Sequence, residues 1–216
     1  MSTPTRRSFL STVAGAAAGA AGVVATGPSL LQSQARGAEV WDFSWMDRLT
    51  GKHRQVFDLE SLDAGLRVVR NWYDAYETVF KLKHPEVNAV LGIAGSTFPY
   101  NAGDALYRQF PIGEQWQVKD PATGQWATRN IFLEGGASPA DRENRIRPLQ
   151  ARGAIMWMCN NALQRVASRL ADAVGRPAPE VYAELRGGLN PGVILVPAHT
   201  MLLGLCQERG CSYEKV

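Results

Sequence analysis

Three short apolar runs constrain this chain more than any other feature. They are Ala89-Val90-Leu91-Gly92-Ile93-Ala94-Gly95, Gly153-Ala154-Ile155-Met156-Trp157-Met158 and Gly192-Val193-Ile194-Leu195-Val196-Pro197. Each is bounded by glycine or proline and is too short for an ordinary helix. None alternates apolar with polar residues, so each reads as a strand covered on both faces. Such a strand needs helices on either side of its sheet, and helical patterns do separate the runs.

The first helical pattern is predicted over Asp63 to Lys83. Leu66, Val69, Tyr73, Tyr76 and Phe80 recur at spacings of three and four and form one stripe. His84-Pro85 closes it, because a residue before proline avoids the α region. A second helix runs to about Val174, capped by Asn160 or Asn161 and stopped by Gly175. A shorter one is predicted around Glu180 to Leu185, and another from Ala198 to about Arg209. Val56 to Leu59 reads as a short strand and Ser212 to Lys215 as a terminal edge strand. Strands alternating with helices imply an α/β fold with a parallel sheet layered between helices. Ligands in such sheets sit beyond the carboxyl ends of the strands.

Residues 107–136 break this rhythm. Trp116-Gln117-Val118 and Trp126-Ala127-Thr128 flank the turn-rich Asp120-Pro121-Ala122-Thr123-Gly124, which predicts a hairpin-like insertion. Ser138-Pro139-Ala140-Asp141 then carries a helix-start signature.

The formal charge of +3 belongs wholly to the start of the chain. Arg6, Arg7 and Arg36 precede Glu39, the first acidic residue, and from there the charges balance at 20 against 20. A balanced body argues against a nucleic-acid-binding domain. Thr5-Arg6-Arg7-Ser8-Phe9-Leu10, followed by a charge-free stretch to Leu31, resembles a twin-arginine (Tat) export signal. Residues 1–38 are therefore expected to be a signal peptide, cleaved after Ala35 or Ala38. The alternative is a retained anchor, since Ser8 to Gln34 is long enough to span a bilayer. Its Ala and Gly content makes it only mildly apolar, which favours cleavage. The expected location is the periplasm, reached in the folded state through the Tat export machinery, with no stable membrane insertion after cleavage. Residues 39–54 are then an N-terminal extension, and 55–216 the folded domain.

The segment Arg152-Gly153-Ala154-Ile155-Met156-Trp157-Met158-Cys159-Asn160-Asn161-Ala162-Leu163 resembles the DsrE/DsrF-like family of sulfur-relay proteins. Asn190 to Ala198 and the closing Leu205 to Tyr213 are similar to that family's last strand and end, and Val90 to Gly95 fits an earlier strand. The resemblance implies a three-layer α/β/α fold with about five strands, assembled as trimers or hexamers. It also implies a functional role for Cys159, which matches the cysteine that accepts sulfur as a persulfide. A periplasmic sulfur or redox partner protein would take that sulfur on. No cofactor is implied. The chain departs from the pattern in its leader, in its insertion and in carrying His199 where a small residue is expected.

The residues themselves leave alternatives open. Cys159 follows a strand and precedes a helix, where unpaired backbone N–H groups stabilise a thiolate; it is equally read as a small apolar residue closing a strand. His199 follows another strand, in the first turn of the next helix, and is read either as a proton-transfer or orienting group or as a solvent-facing or capping residue. Ser96 and Thr97, with Asn160 and Asn161, are candidate ligand-binding residues beside the cleft. Cys159 and His199 have no third metal ligand close in sequence, so no metal site is expected. Cys206 and Cys211 are read either as a disulfide or as two thiols. Trp116 and Trp126 are candidates for a partner surface. A G-x-S-x-G elbow, a G-x-G-x-x-G turn and a P-loop are all missing from the sequence.

Overall fold

A computed structural model describes residues 40–216; the expected leader and its cleavage site lie outside them. A 3-10 segment, Ser44–Arg48, precedes strand β1 (His53–Leu59). Helix α1 (Gly65–Ala75) runs into one π-helical turn, Tyr76–Phe80, before β2 (Val87–Ile93). Four short helices follow: α2 (Asp104–Gln109), α3 (Ile112–Gln115), α4 (Pro139–Glu143) and α5 (Ile146–Ala151). Then come β3 (Ile155–Cys159), α6 (Asn160–Val174), α7 (Ala178–Gly187), β4 (Val193–Val196), α8 (His199–Glu208) and β5 (Ser212–Lys215).

The five strands form one parallel sheet in the order β4-β3-β2-β1-β5. Handedness explains where the helices lie. From β1 through β4 the chain steps in one direction, and right-handed crossovers then place every connecting helix on one face. The return from β4 to the far edge at β5 reverses direction, so α8 must cross the opposite face. The core divides accordingly. Phe57, Leu91, Ile93, Met156 and Met158 pack against Leu66, Val69, Leu163 and Leu170 on the first face. Val56, Val90, Trp157 and Val196 pack against Leu202 and Cys206 on the second, together with Trp45, Met46 and Leu49. This is a three-layer α/β/α fold, as expected.

Several local readings are corrected. Much of the stretch read as an N-terminal extension belongs to the domain: Trp45 to Leu49 cover the sheet and His53 opens β1. The long first helix loses its α geometry at Tyr76, and Lys81 closes the π turn at φ 60°. Phe80 is 63% exposed there, so the apolar stripe stops short of it. The insertion keeps only one antiparallel bridge, Lys119 with Trp126, and is otherwise helical turns and loop. Its turn is instead held by the Asp120 carboxylate, which accepts from the Ala122 N–H at 2.9 Å and from Arg129 Nε at 2.8 Å. Trp116 is not a free surface: its Nε1 donates to the Gly95 carbonyl at 2.9 Å and Arg169 lies over its ring. Trp126 remains 43% exposed. The Ser138–Asp141 start is a full capping box, with each side chain bonded to the other's backbone N–H.

Candidate functional site

Neighbouring strands whose following helices leave on opposite faces open a crevice at their carboxyl ends. In this sheet β3 and β4 are such a pair, since α6 and α8 lie on opposite faces. Cys159 ends β3 and His199 opens α8, so both sit at that crevice. The Cys159 sulfur is the N-cap of α6 and accepts the Ala162 N–H at 3.4 Å. It also accepts the His199 backbone N–H at 3.3 Å. One sulfur thus faces the N-termini of two helices of ten residues or more. Negative charge developing on sulfur meets two oriented donors there. The thiol is 3% exposed.

The His199 ring, read as a proton-transfer or orienting group or as a solvent-facing or capping residue, is held by two side chains. Its Nδ1 accepts the indole N–H of Trp157 at 3.2 Å, and Nε2 lies 2.7 Å from Asp58 Oδ1. Indole can only donate, so Nδ1 is the acceptor and Nε2 carries the proton. Both ring nitrogens are therefore engaged, and neither is free to take a proton from the thiol. His199 serves Cys159 through its main chain. Asp58 Oδ2 accepts from the Tyr213 hydroxyl at 2.9 Å, which completes a chain Trp157–His199–Asp58–Tyr213 under the sheet. That bond to the Asp58 carboxylate, aided by desolvation, raises the Tyr213 pKa above the ordinary phenol value. Gly92 makes room for the chain: a Cβ there would lie 2.6 Å from Trp157 Cζ2 and 2.9 Å from His199 Cε1.

Two of the four candidate ligand-binding residues are buried and bonded within the fold, and two are exposed. Thr97 is fully buried and its hydroxyl donates to the Leu59 carbonyl at 2.8 Å, so it offers nothing to a ligand. Asn160 is buried and its Oδ1 accepts from the Tyr182 hydroxyl at 2.6 Å. Neither asparagine caps α6, because the Cys159 sulfur occupies the capping place. Ser96 and Asn161 are exposed on the loop after β2 and the first turn of α6. Cys206 and Cys211 are free thiols, both buried.

No family model matches this chain, and no curated protein does. It is similar in structure to a protein of unknown function, MTH1491 from Methanobacterium thermoautotrophicum. The two share 14% identity with a TM-score of 0.40, over 76% of this chain and 99% of that one.

Asp58, Trp157, Tyr213 and Gly92 were missed as site residues. Two signals were available: Asp58 is a lone acid inside Val56-Phe57-Asp58-Leu59, and a buried carboxylate needs a partner. A glycine inside the apolar run at Gly92 is also a mark of close approach. Three buried asparagines gave no sequence signal. Asn101 Nδ2 donates to the Trp157 carbonyl, and Asn130 and Asn190 both donate to the Tyr100 carbonyl, which ties the segment after β2 to the sheet.

Proposed function

We propose that this chain is an exported sulfur-handling domain in which Cys159 accepts sulfane sulfur as a persulfide. The observation that carries the proposal is the Cys159 sulfur held by the Ala162 and His199 N–H groups at the crevice between β3 and β4. The resemblance to the DsrE/DsrF-like segment around Cys159 supports the same reading. With thiosulfate as donor, the Cys159 thiolate attacks the outer sulfur. A Cys159 S–S bond forms, the S–S bond of thiosulfate breaks, and sulfite leaves with the electron pair. With polysulfide, a shorter polysulfide leaves instead. Transfer to a partner thiolate is the same displacement repeated, and it needs no outside oxidant. The low exposure of Cys159 suits small inorganic donors. Export by the twin-arginine route, a periplasmic partner and assembly as a trimer or hexamer belong to the same proposal.

The burial of Cys159 favours one other reading, a non-catalytic oligomeric module of this fold that binds a small ligand or a redox partner. Intact-mass spectrometry after exposure to thiosulfate or polysulfide separates the two. Sulfur added to the native chain and absent from Cys159→Ala supports the relay. A native chain that gains no sulfur supports the binding module.

A further inference from the structure

Helix α8 ends in a Schellman closure. The Cys211 N–H donates to the Cys206 carbonyl at 3.0 Å and the Gly210 N–H to the Gln207 carbonyl at 2.9 Å, with Gly210 at φ 81°. This closure brings its first and last side chains together, ordinarily as an apolar contact. Here both are cysteines, 0% and 6% exposed. The closure therefore sets two buried thiols at neighbouring places on the helix end.

Arg54 of β1 lies alongside. Its Nη2 falls 2.8 Å from where a Cβ on Gly210 would stand, and its Nη1 donates to the Leu49 carbonyl at 3.1 Å. Its Nε is buried with no partner. A guanidinium with an unused donor thus lies against the turn residue next to Cys211. The neighbouring Cys206 thiol and the Arg54 charge hold the Cys211 thiol below its ordinary pKa, against the opposing effect of burial. The neighbouring Cys211 sulfur, with burial, pushes Cys206 up.

We propose that Cys206 and Cys211 form a redox site in which Cys211 is the attacking thiolate, Arg54 its counter-ion and Cys206 the resolving thiol, with a hydroperoxide as oxidant. In the first step the Cys211 sulfur attacks a peroxide oxygen and the O–O bond breaks. The leaving oxygen takes a proton from water, and Cys211 becomes a sulfenic acid, oxidised by two electrons while the peroxide is reduced. In the second step the Cys206 sulfur attacks the sulfenic sulfur, an S–S bond forms, and water leaves with the Cys206 proton. The backbone bond from the Cys211 N–H to the Cys206 carbonyl holds the two residues at one helix end, which is the approach that the S–S bond needs. The site is independent of Cys159.

The test is a hydrogen peroxide pulse on the folded chain, quenched by alkylation and read by peptide mass. The native chain should lose two hydrogens, mapped to a Cys206–Cys211 cross-link. Cys206→Ser should stop at a Cys211 sulfenic acid, captured by dimedone. Arg54→Met should slow oxidation of Cys211 about tenfold, and Arg54→Lys should restore most of the rate. A pair that stays reduced while Cys159 oxidises, or a Cys206→Ser chain without a dimedone adduct on Cys211, would overturn the proposal. Equal rates in the native and Arg54→Met chains would overturn it too.

Discussion

Every polar atom of the His199 imidazole is spent on a neighbour, and that fixes what the residue can do. The Trp157 indole and the Asp58 carboxylate hold the ring at 3.2 and 2.7 Å, so the backbone N–H is left to face the Cys159 sulfur. The ring orientation in turn depends on the missing side chain at Gly92. Gly92→Ala would press a methyl carbon to 2.6 Å from Trp157 Cζ2. The expected cost is about 1–3 kcal/mol, read from the urea unfolding midpoint. Tyr213 reports on the other end of the chain. Because its phenol is raised by bonding to Asp58, the folded state holds this proton more tightly than the unfolded state. That contribution to stability is complete below the ordinary tyrosine pKa and is lost as pH rises through the folded value. In an alkaline absorbance titration Tyr213 should ionise after an ordinary tyrosine. Asp58→Asn, which removes the negative charge, should bring its ionisation earlier; an unchanged titration would break the network.

At the scale of elements, α6 is the clearest case of sequence dictating structure. Leu163, Val166, Ala167 and Leu170 are all buried on one face, and Gly175 caps the helix at φ 65°. Leu170→Ala should cost about 2–5 kcal/mol in the same unfolding measurement, because Leu170 is wholly buried against the first face of the sheet. The five strands and the helices between them were legible because periodicity and the bounding Gly and Pro residues act locally. The start of α6 was not read correctly. Asn160 and Asn161 are better capping residues than cysteine by propensity, yet β3 continues through Cys159 and α6 begins at Asn160, which delivers sulfur to the cap. The insertion was misread for a similar reason. Trp116 and Trp126 suggested paired strands, but Trp116 is drawn instead to the Gly95 carbonyl and the Arg169 guanidinium. Local pattern does not carry such long-range partners. The site was half legible: Cys159 and His199 stood out as chemistry at strand ends, whereas the partners Asp58, Trp157 and Tyr213 depend on strand order.

At the scale of the whole molecule, topology explains why a cysteine and a histidine forty positions apart share a bond. The chain builds β1 to β4 in one direction and then crosses beneath the sheet to β5. That single reversal places α6 and α8 on opposite faces and aims both N-termini at the end of β3. A parallel sheet without the reversal would leave the Cys159 sulfur facing one helix. The central claim is that this doubly faced sulfur is the one that accepts sulfane sulfur. The most direct measurement is peptide-level mass mapping of all three cysteines in the folded chain after a short exposure to polysulfide, with other thiols blocked only afterwards. Added sulfur concentrated on the peptide bearing Cys159 is the expected result. Sulfur spread evenly over Cys159, Cys206 and Cys211, or absent from Cys159, would contradict the account.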